Sequence, residues 1–93
     1  MSDDTEMAIA IKYDKDKDVA PRVVAKGMRL KAEKIREIAR QYNIPFMKNV
    51  SLASALYRVD VGQDVPEELY DAVAEVLNFI YELQREQQAG GKR

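Results

Sequence analysis

Three aspartates at alternate positions, Asp14, Asp16 and Asp18, resemble the opening of a calcium-binding loop, with carboxylates spaced to converge on one cation. Such a loop also needs glycine at its sixth position for a sharp turn and glutamate at its twelfth as a bidentate ligand. Those places hold Val19 and Ala25, so the run reads as a solvated, charged turn and no metal is expected. Ser2, Ser51 and Ser54 offer hydroxyls, but the chain contains no histidine to serve as their base. It contains no cysteine either, which removes thiolate nucleophiles, zinc sites and disulfides. Gly27 stands alone ahead of a helical pattern and reads as a residue that bends the chain, not as a phosphate cradle. Neither an enzyme nor a bound cofactor is expected from this inventory.

Charge is the next candidate for function. Of the 93 residues 33% are charged, yet the formal net charge is −1, which gives no general attraction to nucleic acid. The charges are segregated along the chain. Residues 22–40 carry Arg22, Lys26, Arg29, Lys31, Lys34, Arg36 and Arg40 against Glu33 and Glu37, whereas residues 60–86 carry eight acids against Arg85. The two halves attract each other, and each reads either as the solvated face of an amphipathic helix or, for the basic half, as a phosphate-binding face.

The elements that must hold these residues follow from periodicity. Residues 5–14, TEMAIAIKYD, alternate faces: Met7, Ile9, Ile11 and Tyr13 point one way, Ala8, Ala10, Lys12 and Asp14 the other, as in a half-buried strand. After a turn closed by Pro21, Val23 and Val24 mark a second strand that ends at Gly27. From Met28 to Asn43 the apolar residues Met28, Ala32, Ile35, Ile38, Ala39 and Tyr42 recur at helical spacing. The segment IPFMKNV is a third strand candidate, confined by Pro45 to a strand start or an edge. Ser51 is placed to cap a short helix to about Arg58, with Leu52, Ala55 and Leu56 inward, and the loop after it turns at Gly62. A long helix then has Pro66, Glu67 and Glu68 in its first turn and an apolar stripe of Leu69, Val73, Val76, Leu77, Ile80 and Leu83.

The expectation is therefore one α/β domain, a thin sheet of about three strands packed with three helices. Residues 1–6 form a flexible N-terminus, residues 7–86 the domain, and residues 87–93 a disordered tail. Tyr42, Tyr57, Tyr70 and Tyr81 all lie in predicted helices near apolar stripes, where the ring packs and the hydroxyl stays wet, so that base stacking is the weaker reading. No apolar run approaches the roughly 20 residues of a membrane span, and MSDDTEM lacks the basic and apolar regions of a secretory signal. No membrane insertion is expected, and the cytoplasm is the expected location.

Several separated motifs, AIAIKYD, APRVVAKG, AEKIREIARQYNIPF and LASALYRVDVGQDVPEELYDAVAEVL, occur in an order that closely resembles the cytoplasmic C-terminal domain of the FlhB family of type III export proteins. The resemblance covers about residues 7–86 and implies that family's fold without its first strand. Family members carry an Asn-Pro-Thr-His sequence just before the first strand seen here, and cleave themselves between the Asn and the Pro by cyclisation of the asparagine. Counting back from KYD, the four places fall on Asp3, Asp4, Thr5 and Glu6, of which the threonine alone matches. Self-cleavage is therefore not expected. The chain resembles a free-standing copy of the domain, starting about where the C-terminal cleavage product of the family would start.

The resemblance also implies a place at the cytoplasmic face of the flagellar export gate, where the domain helps select rod, hook and filament subunits. Implied partners are the export apparatus proteins, including the N-terminal part of FlhB and the cytoplasmic domain of FlhA, together with rod and hook substrates. An apolar patch implicated in handling early substrates maps to Ala20 and Pro21 in the turn and to Ala74 and Leu77 in the long helix. Ala20 and Pro21 are expected at the surface, whereas Ala74 and Leu77 also suit plain packing against the sheet. On this reading no nucleic acid is bound. Two other readings stand beside it: a decoy that competes with FlhB for substrates or gate partners, and a nucleic-acid binder acting through the basic helix 28–43.

Overall fold

The computed structural model describes residues 6–14 and 16–91, with side chains as far as residue 86. Strand β1, Met7–Lys12, pairs antiparallel with β2, Arg22–Met28, and helices α1, Leu30–Gln41, α2, Val50–Leu56, and α3, Tyr70–Gly91, follow. A single 3₁₀ turn, Glu67–Leu69, leads into α3. The tail expected from residue 87 thus coincides with the last turns of α3, while the expected N-terminal segment lies, apart from Glu6, outside the described residues.

The pairing register determines what each face of this hairpin does. Ala8 faces Gly27 and Ala10 faces Ala25, so one face is made of small residues. Helix α1 lies on it, with Ala32 and Ala39 buried. The approach is close: a Cβ built on Gly27 would stand 2.6 Å from the Lys31 Cβ. The register then slips between Ala10 and Ile11, because Ile11 faces Val23 and leaves Val24 as the extra residue of a bulge. The opposite face carries Ile9, Ile11 and Val23, and packs with Leu52 and Leu56 of α2, Val59, Val65 and Val73 of α3. Val23, Val65 and Val73 are almost fully buried and form the centre of the core.

Among the described residues the sheet has two strands, not three. IPFMKNV stays out of it because both of its ends are used to close helices. Asn43, at a φ of 56°, and Ile44 end α1 in a Schellman motif: the Asn43 N–H donates to Arg40 O at 3.2 Å and the Ile44 N–H to Ala39 O at 2.8 Å. Six residues on, Asn49 caps α2 by accepting from the Leu52 N–H at 3.1 Å, so the cap is Asn49 and not Ser51. Pro45 between them has no amide to give a neighbouring strand. Helix α1 also starts two residues later than its apolar pattern suggests. Met28 is still strand, and Arg29, at φ 56° and ψ −120°, turns the chain in one residue. A backbone in that region costs a non-glycine residue on the order of 1–3 kcal/mol. The Arg29 N–H offsets part of this by donating to Glu6 O at 3.0 Å.

Candidate functional site

The candidate patch is divided between the entry to β2 and the outer side of α3. Residues 20–23 are clamped to the loop 62–65: the Val23 N–H donates to Gln63 O at 3.1 Å, the Gly62 N–H to Val23 O at 2.7 Å and the Val65 N–H to Pro21 O at 2.8 Å. Gly62, at a φ of 94°, makes the turn that brings this loop back. Arg22 Nε lies 3.5 Å from Asp64 Oδ1 outside the clamp, an exposed pair of little energetic weight.

The clamp corrects the expected exposure of the turn. Ala20 is only 4% exposed, because the clamp holds its neighbours on the fully buried Val65 and Val23, and Pro21 is half-buried. On α3 the order reverses. Ala74 is exposed, while Leu77, one turn further on, is half-buried and packs on the cluster containing Val23 and Val73. Pro21 and Ala74 therefore reach solvent, and Ala20 and Leu77 back them from inside.

Of the four degenerate cleavage positions, Asp3, Asp4 and Thr5 lie outside the described residues. Glu6, at the place the resemblance gives to histidine, is engaged structurally. Its carboxylate Oε2 lies 3.0 Å from Arg36 Nη2 and its carbonyl accepts from Arg29, so it ties the start of β1 to both ends of the first turns of α1.

The aspartate turn is also held by its own backbone. The Asp14 N–H donates to Asp18 Oδ2 at 2.8 Å and the Asp16 N–H to Asp14 Oδ1 at 3.0 Å, an Asx turn in which carboxylate oxygens that would face a cation face amides. No cluster of potential metal ligands occurs among the described residues. Nor is any helix among them long and apolar enough to cross a membrane.

Residue spacing missed Lys26. It belongs by sequence to the basic, solvated run, but the bulge at Val24 turns it to the core face, opposite Ile9. There its Nζ donates to Tyr57 O at 2.8 Å and Val59 O at 3.0 Å, and stands 4.9 Å from the centroid of the Tyr57 ring. It caps the end of α2, where exposed carbonyls and the helix dipole favour a cation. The tyrosines divide accordingly: Tyr57 packs under Lys26, whereas Tyr42, 72% exposed, and the less exposed Tyr70 and Tyr81 stay at the surface. The only sequence signal for a bulge is the doubled Val23–Val24, which a plain strand also carries.

A family model, the FlhB HrpN YscU SpaS Family, matches residues 2–80. The flagellar biosynthetic protein FlhB of Escherichia coli is 48% identical over 90 residues, which are 96% of this chain and 24% of that protein. FlhB of Bacillus subtilis is 46% identical over 78 residues, 83% of this chain and 22% of that protein. The chain thus spans about a quarter of the length of the relatives it matches. The crystal structure of the cytoplasmic domain of FlhB from Shewanella putrefaciens superposes with a TM-score of 0.78 at 44% identity, covering 83% of this chain and 65% of that one. The PscU C-terminal domain does so with a TM-score of 0.79 at 36% identity, covering 82% and 98%.

Proposed function

This chain belongs to the FlhB HrpN YscU SpaS family, and from that premise we propose that it works in type III export as a counterpart of the FlhB C-terminal domain. It acts without catalysis, on the cytoplasmic side of the export gate, by docking rod and hook subunits and so helping to decide which substrates pass. Its partners on this reading are the membrane-embedded N-terminal part of FlhB and the cytoplasmic domain of FlhA.

The observation that carries the reading is the similarity itself, 48% identity to FlhB over 96% of the chain. The surface supports it at two points. Ala74 presents a methyl group to solvent beside Leu77 on the same side of α3, since residues three apart share a helix face. Pro21 spends its carbonyl on Val65 and leaves its ring as the recognition element.

Supplying this chain to a strain whose FlhB ends before its own C-terminal domain tests the proposal. Motility is expected to return with the parent chain and to fail with Ala74→Glu, while the melting temperature of the purified variant stays within about 3 °C because a surface position loses few contacts. Failure of the parent chain to restore motility, despite normal accumulation, overturns it.

A further inference from the structure

Residues 44–50, Ile-Pro-Phe-Met-Lys-Asn-Val, are a strand candidate by sequence and pair with no strand among the described residues. The backbone of residues 45–48 makes no hydrogen bond among the described residues. Ile44, Phe46, Met47 and Val50 are 55%, 51%, 43% and 67% exposed, and Ile38 and Tyr42 at the end of α1 are exposed as well. Single exposed apolar residues are ordinary, but six within thirteen positions of the sequence concentrate exposed apolar side chains on this segment and the helix end before it.

We propose that this segment pairs antiparallel with the same segment of a second copy, about a two-fold axis at Met47. The sequence is self-complementary in that register. Phe46 faces Lys48 of the second copy and the two-fold repeats the pair, so each aromatic ring meets a cation, while Ile44, whose amide closes α1, and Val50, the first residue of α2, flank the ladder. No cation faces a cation, and Arg40 already stands over the other side of Phe46, 5.9 Å from its centroid.

The backbone selects the same arrangement. With Met47 opposite Met47 as a non-hydrogen-bonded pair, the bonded pairs are Phe46 with Lys48, whose amides are all free to donate. Pro45 then falls opposite Asn49 at a non-bonded site, where its missing N–H costs nothing. The Ile44 amide, committed to Ala39, lies at the end of the ladder. Isologous contact of this kind closes at two copies.

Because the chain has no cysteine, Met47→Cys introduces a single thiol. Non-bonded antiparallel partners stand about 4.5 Å apart at Cα, within the range a disulfide spans. Mild oxidation is expected to cross-link Met47→Cys into a dimer and to leave Val19→Cys, 97% exposed in the β1–β2 turn, monomeric. Sedimentation of the parent chain from micromolar to millimolar concentration is expected to pass from monomer to dimer. Phe46→Lys, which sets two pairs of like charges face to face, keeps it monomeric at unchanged helix content, and adding Lys48→Glu restores the dimer. A parent chain that stays monomeric throughout, equal cross-linking at Val19→Cys, or a double variant no more dimeric than Phe46→Lys overturns the proposal.

Discussion

Replacing Lys26 by methionine isolates the contribution of one ammonium group, because methionine keeps most of the aliphatic stem of a residue that pairs with Ile9 and sets its Nζ over the Tyr57 ring. What disappears is the charged donor to Tyr57 O at 2.8 Å and Val59 O at 3.0 Å. A hydrogen bond to a charged group contributes about 1.5–3 kcal/mol, and a buried acceptor left unpaired costs about 1–3 kcal/mol. Val59 is 9% exposed, so water reaches its carbonyl poorly, whereas the half-buried Tyr57 can recover part of its loss from solvent. Cation–π attraction adds about 0.5–1 kcal/mol and the dipole of α2 about 0.3–1 kcal/mol. These contributions share one group and do not sum in full. The expected loss is about 2–4 kcal/mol, out of the roughly 5–15 kcal/mol that a native domain commands. For a chain of this size each kcal/mol moves the melting temperature by about 4–8 °C, so Lys26→Met should melt on the order of 10–25 °C lower. Circular dichroism at increasing temperature and a urea titration, each run beside Lys34→Met on the exposed side of α1, supply the measurement. A Lys26→Met loss no larger than that of Lys34→Met would refute the inference that the bulge places a working cation on the core face.

Gly27→Ala should cost about 1–3 kcal/mol in a urea titration, since the new Cβ meets the Lys31 Cβ at 2.6 Å and α1 must move off the hairpin. Asn49→Ala should lose about 1 kcal/mol through the cap of α2, while Ser51→Ala, one residue inside that helix, should change stability by less than about 0.5 kcal/mol. The purified chain should hold its intact mass for days at neutral pH, because Asp3 lacks the side-chain amide that cyclises in the family; mass spectrometry that finds a fragment beginning at Asp4 counts against this.

Periodicity carried much of the architecture. Alternation from Met7 to Lys12 is the observed β1, the spacing of Ala32, Ile35 and Ala39 is the inner side of α1, and Leu69, Val73, Val76 and Leu77 do line the core. These features are legible because local geometry, a period of 2.0 or 3.6, is written in the order of residues. Gly62 and Pro66 mark a turn and an element start for equally local reasons of φ and a missing amide. The family resemblance was legible too, since separated motifs in one order need no coordinates.

What sequence order left open was decided by contacts between distant residues. Ala20 looks like a surface residue until loop 62–65 folds over the turn that holds it, and Ala74 looks like a stripe residue until the core proves too narrow to cover it. IPFMKNV has strand character by composition but no partner among the described strands, because pairing is a property of two segments and both of its ends are engaged in capping helices. Lys26 shows the reason most plainly. Its residue type says solvent and its place in the alternation says the face opposite Val23, yet one extra residue at Val24 reverses the side on which every later residue of β2 falls. The C-terminal end of α2 and the residues just after it then supply the carbonyls that hold the half-buried ammonium, and nothing local to Lys26 in the chain announces them.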